Sequence, residues 1–316
     1  MFSKAVLFAL YVLSDFAYGQ KDKHFFREDY SYLETTEGFY KIHTSPQTWA
    51  DAKRVCALEG ASLFFPDNRH EANTVITFWK SVQPSILWAF VGLSDTISEG
   101  VFETVDGKSV SEVYNQWQQS EPNDMGGNED CVHLNLQGDL NDFPCDGKSY
   151  FICKKNLQTL EWNYPCNMSN LDYTFNEEIG KCYKLHSTPL TWMEAHAVCR
   201  AEQSYLAVSN NQLEADYLAN LTESTSNQRV GGTYFRGIYH MGFHNILHAG
   251  WQTVRGTPMT VNASAWWNHY QPNGDAVEQC GSMFYTGRLN IVNCDTKSFF
   301  ICEHEVDSLT LGEINY

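Results

Sequence analysis

Positive charge is scarce in this chain. Lysine and arginine number 21 against 38 aspartates and glutamates, a net charge of -17 over 316 residues. So acidic a protein repels a phosphate backbone or an anionic bilayer, so neither nucleic acid nor a membrane surface is expected as its main partner. Long apolar runs are missing as well. Beyond the first nineteen residues no stretch approaches the roughly 18 apolar residues of a membrane span, and the C-terminal EVDSLTLGEINY is polar, so no membrane insertion is expected. Nucleophile–base signatures such as G-x-S-x-G or H-E-x-x-H are absent, and no enzymatic activity is expected.

What is present points outside the cell. Lys4, the apolar run Ala5 to Leu13 and the small-residue site Ala17-Tyr18-Gly19 read as a signal peptide over residues 1–19, with the mature chain starting near Gln20. Ten cysteines suit an oxidising compartment. Three N-glycosylation sequons, at Asn167, Asn220 and Asn262, suit a secreted, extracellular glycoprotein. Whether residues 20–37 are ordered is left open.

The chain contains itself twice. YKIHTSPQTWADAKRVCALEGASL at 40–63 and YKLHSTPLTWMEAHAVCRAEQSYL at 183–206 share eleven residue types in register, and SYFICKK at 149–155 answers SFFICEH at 298–304. A repeat this long means tandem domains, roughly 30–156 and 157–306, which also suits the length. Trp49, Ala52, Val55, Cys56 and Leu58 fall near helical spacing, with Gly60 as a stop. Asn68 with Glu71, and Asn211 with Glu214, have the spacing of a capping box opening a second helix. After the helices come short apolar runs, WAFVGL, VFETV, CVHLNL and SYFICK, broken by Gly, Asn and Asp. These predict short antiparallel strands joined by long loops, an α+β unit with two helices in each domain. Cys56, Cys131, Cys145 and Cys153 recur as Cys199, Cys280, Cys294 and Cys302, and the second domain adds Cys166 and Cys182. Spacing alone leaves the pairing open.

One stretch, EPNDMGGNEDC at 121–131, crowds Glu121, Asn123, Asp124, Glu129 and Asp130 around one proline and two glycines. Carboxylates this close repel one another unless a cation sits among them, and oxygen ligands suit a hard one such as Ca²⁺. The alternative is a solvated acidic loop.

The helix-borne cysteine, the VGL strand at 91–93, the Pro-Asn triplet, the cysteine fourteen residues before another and the closing FIC together resemble the C-type lectin domain over nearly all of the mature chain. A secreted tandem pair resembles the two-domain immulectin-type lectins of insects. The resemblance implies disulfides Cys56–Cys153, Cys131–Cys145, Cys166–Cys182, Cys199–Cys302 and Cys280–Cys294. It implies a principal calcium and carbohydrate site at Glu121, Asn123, Glu129, Asn141 and Asp142, and an auxiliary calcium at Asp95, Glu99, Asp124 and Asp130 with Glu129 shared. Glu-Pro-Asn resembles the mannose-type triplet, and a cis peptide is expected before Pro122. The family's Trp before Asn-Asp is Leu140 here, which puts loop packing in question.

The second domain departs from that pattern. Its triplet is Gln271-Pro272-Asn273, Glu278 and Asn290 stand at the positions of Glu129 and Asn141, and Ile291 stands where a ligand Asp belongs. Gln279 replaces the auxiliary Asp, HNILHAG at 244–250 offers no acid, and Asp275 is the one substitute nearby. Weak Ca²⁺ binding or none is expected there. His240, His244 and His248 would stack on a helix as zinc ligands, but they align with a strand and loop, which argues against zinc. Trp266, Trp267, His269 and Tyr270 could form an aromatic platform, though Trp267 matches Trp117, which favours a core position. The expected function is a calcium-dependent, mannose-type pattern-recognition lectin for microbial or cell-surface glycans in innate immunity. The alternative is a protein-binding or adhesion module on the same fold, above all in the second domain.

Overall fold

The computed structural model describes residues 25–223, 225, 228–259, 267–269, 271–272 and 277–306. The expected signal peptide and Asn262, Trp266, Tyr270, Asn273 and Asp275 lie outside the described residues. The chain divides into two compact units between Leu160 and Glu161, and each is α+β.

In the first unit, β1 (Ser31–Leu33) and β2 (Gly38–Gln47) lead into α1 (Trp49–Leu58), then β3 (Ser62–Leu63), α2 (Arg69–Val82), β4 (Trp88–Ser94), β5 (Glu103–Thr104), β6 (Cys131–Asn135), β7 (Leu140–Phe143) and β8 (Ser149–Asn156). Thr48 starts α1 by accepting from the Asp51 N–H at 3.2 Å. The helix buries Trp49, Ala52 and Cys56, whereas Leu58, expected on that face, is half exposed.

Asn68 caps α2 through the Glu71 N–H at 3.0 Å. The expected capping box is not completed. Glu71 reaches one residue further out, to the Asp67 N–H at 2.7 Å, because its other oxygen is drawn inward by Lys154 at 2.6 Å. The second unit repeats this at Asn211, Glu214 and the Asn210 N–H.

The sheet runs β1-β2-β8-β4-β6-β7, with β3 against β8 and β5 against β4. Gly38 pairs with Asn156, so the unit closes on its own ends. Beneath the sheet Tyr40, Phe64, Trp79, Val91, Leu134 and Ile152 form one core, each large side chain worth about 1.5–3 kcal/mol of burial. Gly92 is needed for close approach: a Cβ there would meet the Leu63 carbonyl at 2.5 Å. Leu140 is fully buried. Its backbone pairs with Gln116 and Gln118 at 2.8 and 2.9 Å, so the leucine anchors the long loop that leads to Glu121.

The second unit repeats the plan with β9 (Thr174–Asn176), β10 (Lys181–Leu190), α3 (Trp192–Ala201), β11 (Tyr205–Leu206), α4 (Gln212–Glu223), β12 (Ile238–His244), β13 (Gln252–Thr253), β14 (Cys280–Phe284), β15 (Leu289–Val292) and β16 (Ser298–Glu305). Its sheet order is β15-β14-β12-β16-β10-β9. Disulfides join Cys56 to Cys153, Cys131 to Cys145, Cys166 to Cys182, Cys199 to Cys302 and Cys280 to Cys294, and no cysteine is free. In a chain-entropy view a bridge across about a hundred residues is worth roughly 4–5 kcal/mol.

Both units centre a polar cluster on the residue after the first helix. Glu59 accepts from Tyr30 at 2.7 Å and Lys41 at 2.6 Å, and His43 lies 3.1 Å away. Glu202 accepts from Tyr173 at 2.9 Å and Lys184 at 3.0 Å, with His186 at 3.2 Å.

Candidate metal centre

Three pieces of chain converge at one end of the first unit. The first half of the loop 121–130 brings Glu121, Asn123 and Asp124; its last residues, just before β6, bring Glu129 and Asp130; β7 brings Asn141 and Asp142, opposite His133 and Val132. The Cys131–Cys145 disulfide ties the start of β6 to the segment after β7. The Glu121–Pro122 peptide is cis, as is Gln271–Pro272.

Asp142 is fully buried at the hub. Its Oδ2 accepts from the backbone amides of Asn123 and Asp124 at 2.9 and 2.6 Å, which folds the loop over β7. Asn141 donates to the Asp142 carbonyl. Glu129 accepts from the Met125 N–H at 2.8 Å, and its own N–H donates to Asp124 at 3.1 Å. Glu121 is the strained member electrostatically. Burial and the neighbouring Asp142 carboxylate push its pKa up, Glu129 adds to this, and the Asn123 side chain opposes it.

Beside this cluster Asp95 accepts from the Gly100 N–H at 2.8 Å, and its N–H donates to the Asp130 carbonyl at 3.0 Å. Glu99, Asp124 and Asp130 each bring one carboxylate oxygen within 4.8 Å of the others. The Asp124 charge raises Glu99, which is exposed, and burial raises Asp95. The trio Glu121, Glu129 and Asp142 does not form so tight a group. Two other groups of that tightness occur among the described residues, His43–Glu59–Cys153 and His186–Glu202–Cys302, but their cysteines are committed to disulfides.

A donor set of carboxylates and amide oxygens suits a hard cation. Three buried carboxylate oxygens, Glu121 Oε2, Asp142 Oδ1 and Asp95 Oδ1, have no hydrogen-bond partner. Leaving such an atom unsatisfied costs about 1–3 kcal/mol or more for a charged group, and one or two divalent cations would satisfy all three. The residues present therefore fit calcium. The backbone amides of residues 123–125, which orient the carboxylates, carry no side-chain signature, and sequence reasoning missed them.

The second unit has the frame with less charge, Glu278 being the acid it keeps. Ile291 sits at the register position of Asp142, opposite Gly281, and is buried among Phe243, Met283 and Leu289. Asn290 donates to Ser282 at 3.1 Å. Asn245 reproduces the contacts of Asp95, to the Gln279 carbonyl at 2.9 Å and from the Gly250 N–H at 2.9 Å, but as a neutral amide. His240 and His244 lie on β12 and His248 in the turn beyond it. His240 Nε2 faces the Leu190 and Thr296 carbonyls at 3.0 Å, so that nitrogen carries a proton and offers no lone pair to zinc. Trp267 is half-buried and packs on Phe243 and Trp251 at 5.5 and 5.9 Å, against the core.

A model of the lectin C-type domain matches residues 45–155 and again 188–304. A hemolymph lipopolysaccharide-binding protein of Periplaneta americana is 32% identical over 132 residues, 40% of this chain and 52% of that protein. A human C-type mannose receptor 2 is 27% identical over 297 residues, 87% of this chain and 19% of that protein. A collectin-10 of Gallus gallus is 33% identical over 121 residues, 38% of this chain and 43% of that protein. The matches thus span about half or less of these relatives. Among solved structures, the mouse scavenger receptor C-type lectin carbohydrate-recognition domain is 26% identical, covers 41% of this chain and 96% of that domain, and aligns with a TM-score of 0.37.

Proposed function

The chain belongs to the C-type lectin domain family, carrying its domain twice in tandem, and from that premise we propose that it is a secreted, calcium-dependent carbohydrate-binding protein whose first domain takes mannose-type sugars. The observation that carries the reading is the pair of buried, unpartnered oxygens on Glu121 and Asp142 within one carboxylate cluster. Glu121, Asn123, Glu129, Asn141 and Asp142 would hold the principal calcium, and Asp95, Glu99, Asp124 and Asp130 an auxiliary one. Bound calcium supplies positive charge and open coordination positions for a pair of adjacent sugar hydroxyls. Around it the chain does the recognition: the Glu121 and Glu129 carboxylates accept from those hydroxyls, and the Asn123 and Asn141 amides donate to them. Asp142 positions the Asn123 backbone by hydrogen bond.

The ligands proposed are glycans of microbial or cell surfaces, read for innate immunity. A relative whose name states lipopolysaccharide binding supports this, and two linked domains suit avidity on a repetitive surface. Among the described residues no helix is long and apolar enough to cross a membrane, which suits secretion. Retention of the full chain on mannose resin tests the proposal. Release by EDTA and by free mannose, but not by equal free galactose, is expected. Retention that ignores EDTA would overturn the calcium assignment, and equal release by galactose would overturn the mannose preference.

A further inference from the structure

The second unit carries a surface that the first lacks. The connection from its second helix to the central strand runs over 224–237, where the first unit needs only 83–87. In a chain with 38 acidic residues, the segment STSNQRVGGTYFRG contains none, and holds Arg229, Tyr234, Phe235 and Arg236.

Its described part is pinned in place. Phe235 N–H donates to the Lys297 carbonyl at 2.8 Å, and the Tyr234 hydroxyl donates to the Gln228 carbonyl at 3.3 Å. Tyr234 stacks on buried Phe299 with ring centroids 5.2 Å apart and planes 19° apart. The Arg236 guanidinium lies 5.5 Å over the Tyr234 ring. From the β14–β15 turn Tyr285 joins the patch: its N–H donates to the Gly237 carbonyl at 3.1 Å. Its ring passes 3.7 Å from where a Gly237 Cβ would stand, at a position whose φ of +78° already favours glycine. Phe235 is 57% exposed and Tyr285 58% exposed, although buried anchors hold the backbone around them. The same turn carries Arg288, where the first unit has Asp139. This surface lies at the β14–β15 turn, whereas the residues matching the calcium cage flank the opposite end of β14, at Cys280.

Exposed, backbone-anchored aromatic rings beside arginines match two features of one ligand: the apolar face of a pyranose ring, and an anionic substituent on it. Aromatic faces take C–H edges and arginine forks take phosphate or carboxylate. A neutral apolar partner would make no use of the exposed Arg236 guanidinium. We propose that this face of the second domain binds an anionic glycan, a sugar bearing phosphate or carboxylate, without calcium. The inference extends the carbohydrate reading but does not use the calcium cage of the first domain.

The test is surface binding of the full chain in EDTA to phosphomannan, polygalacturonate, neutral mannan and sugar-free polyphosphate. Phosphomannan or polygalacturonate should bind, and whichever binds more tightly identifies the anion. Neutral mannan should not bind, and polyphosphate should bind less well. Phe235→Ala and Arg236→Ala should each weaken binding about fivefold or more. Both sites are on the surface, so an unchanged melting temperature separates loss of contact from loss of fold. Calcium-dependent retention on mannose should survive in both variants, so failure of either proposal is seen separately. No anionic binding in EDTA would overturn the inference, as would mannan binding equally well. Equal polyphosphate binding with Phe235→Ala silent would make the face a mere polyanion patch and also overturn it.

Discussion

At the scale of single residues, Glu59 shows how polar side chains are fixed beneath a lectin surface. Burial alone would raise its pKa, but the hydrogen bond and charge of His43 and the charges of Lys41 and Arg27 more than offset this and hold it at about 2. An acid depressed in the folded state stabilises the fold fully above its unfolded value near 4.5, and loses that contribution as pH falls toward 2. The contribution is on the order of 3 kcal/mol at neutral pH. Thermal unfolding of the full chain between pH 5 and pH 2.5 should therefore show a steep fall in the transition of the first unit, and Glu59→Gln should flatten it. A Glu59→Gln variant that keeps the wild-type slope would place the acid sensitivity elsewhere. The Lys, His and Glu of this cluster were visible in the repeat as matched letters, whereas Tyr30 and Tyr173 lie before the matched segments. Their meeting was not, because it depends on the pairing of β2 with β8 and on where α1 stops. The residues proposed for calcium divide in the same way. Side chains with a motif, such as Glu121 and Asp142, could be named as candidates from sequence, whereas the amides of residues 123 and 124 that Asp142 holds belong to loop geometry.

At the scale of elements, the helices were legible because caps and apolar spacing are local. The Glu71 side chain was misplaced because its partner Lys154 comes from a strand 83 residues later in the chain. The second unit solves the same problem differently. Glu303 replaces Lys154, and the cation comes from Lys181, at the position of Gly38, reaching Glu214 at 2.8 Å and Glu303 at 2.5 Å. Such an exchange is invisible until two strands are known to be neighbours. The same dependence governs the loop over β7, which Asp142 holds through two amides. If a cation completes this element, millimolar calcium should raise the melting transition of the first unit. At millimolar calcium and a Kd of order 10⁻⁴ to 10⁻³ M the linkage is worth about 0.4–1.4 kcal/mol, a few degrees for a domain this size. Asp142→Asn keeps the shape and an acceptor for the loop amides but removes the charge. It should abolish most of the calcium shift while leaving the calcium-free transition near its wild-type value. A full shift in Asp142→Asn would mean the ion sits elsewhere.

At the scale of the molecule, duplication has left two copies of one fold with unequal chemistry. The tandem organisation was the most legible property of all, because two matched segments and four matched cysteines, in the same order in both halves, carry it. The departure of the second copy was legible at Ile291 and Gln279, while its basic aromatic face was not, since neither an insertion nor an exposed ring has a motif. Ile291 is buried among Phe243, Met283 and Leu289, so the second copy uses the register position of Asp142 to extend its core. A lone carboxylate placed there would face apolar neighbours with no compensating charge, at a cost of several kcal/mol. Calorimetric titration of the full chain with calcium should thus report binding in the first unit alone, with Kd of order 10⁻⁴ to 10⁻³ M. The triple variant Asp95→Asn, Glu121→Gln, Asp142→Asn should erase it. In that background Ile291→Asp should lower stability without restoring binding, whereas Ile291→Asp with Gln271→Glu should recover measurable uptake by rebuilding three carboxylates with Glu278. A one-to-one isotherm at sub-millimolar Kd persisting in the triple variant would refute the asymmetry, because only the second unit would remain to supply the ligands.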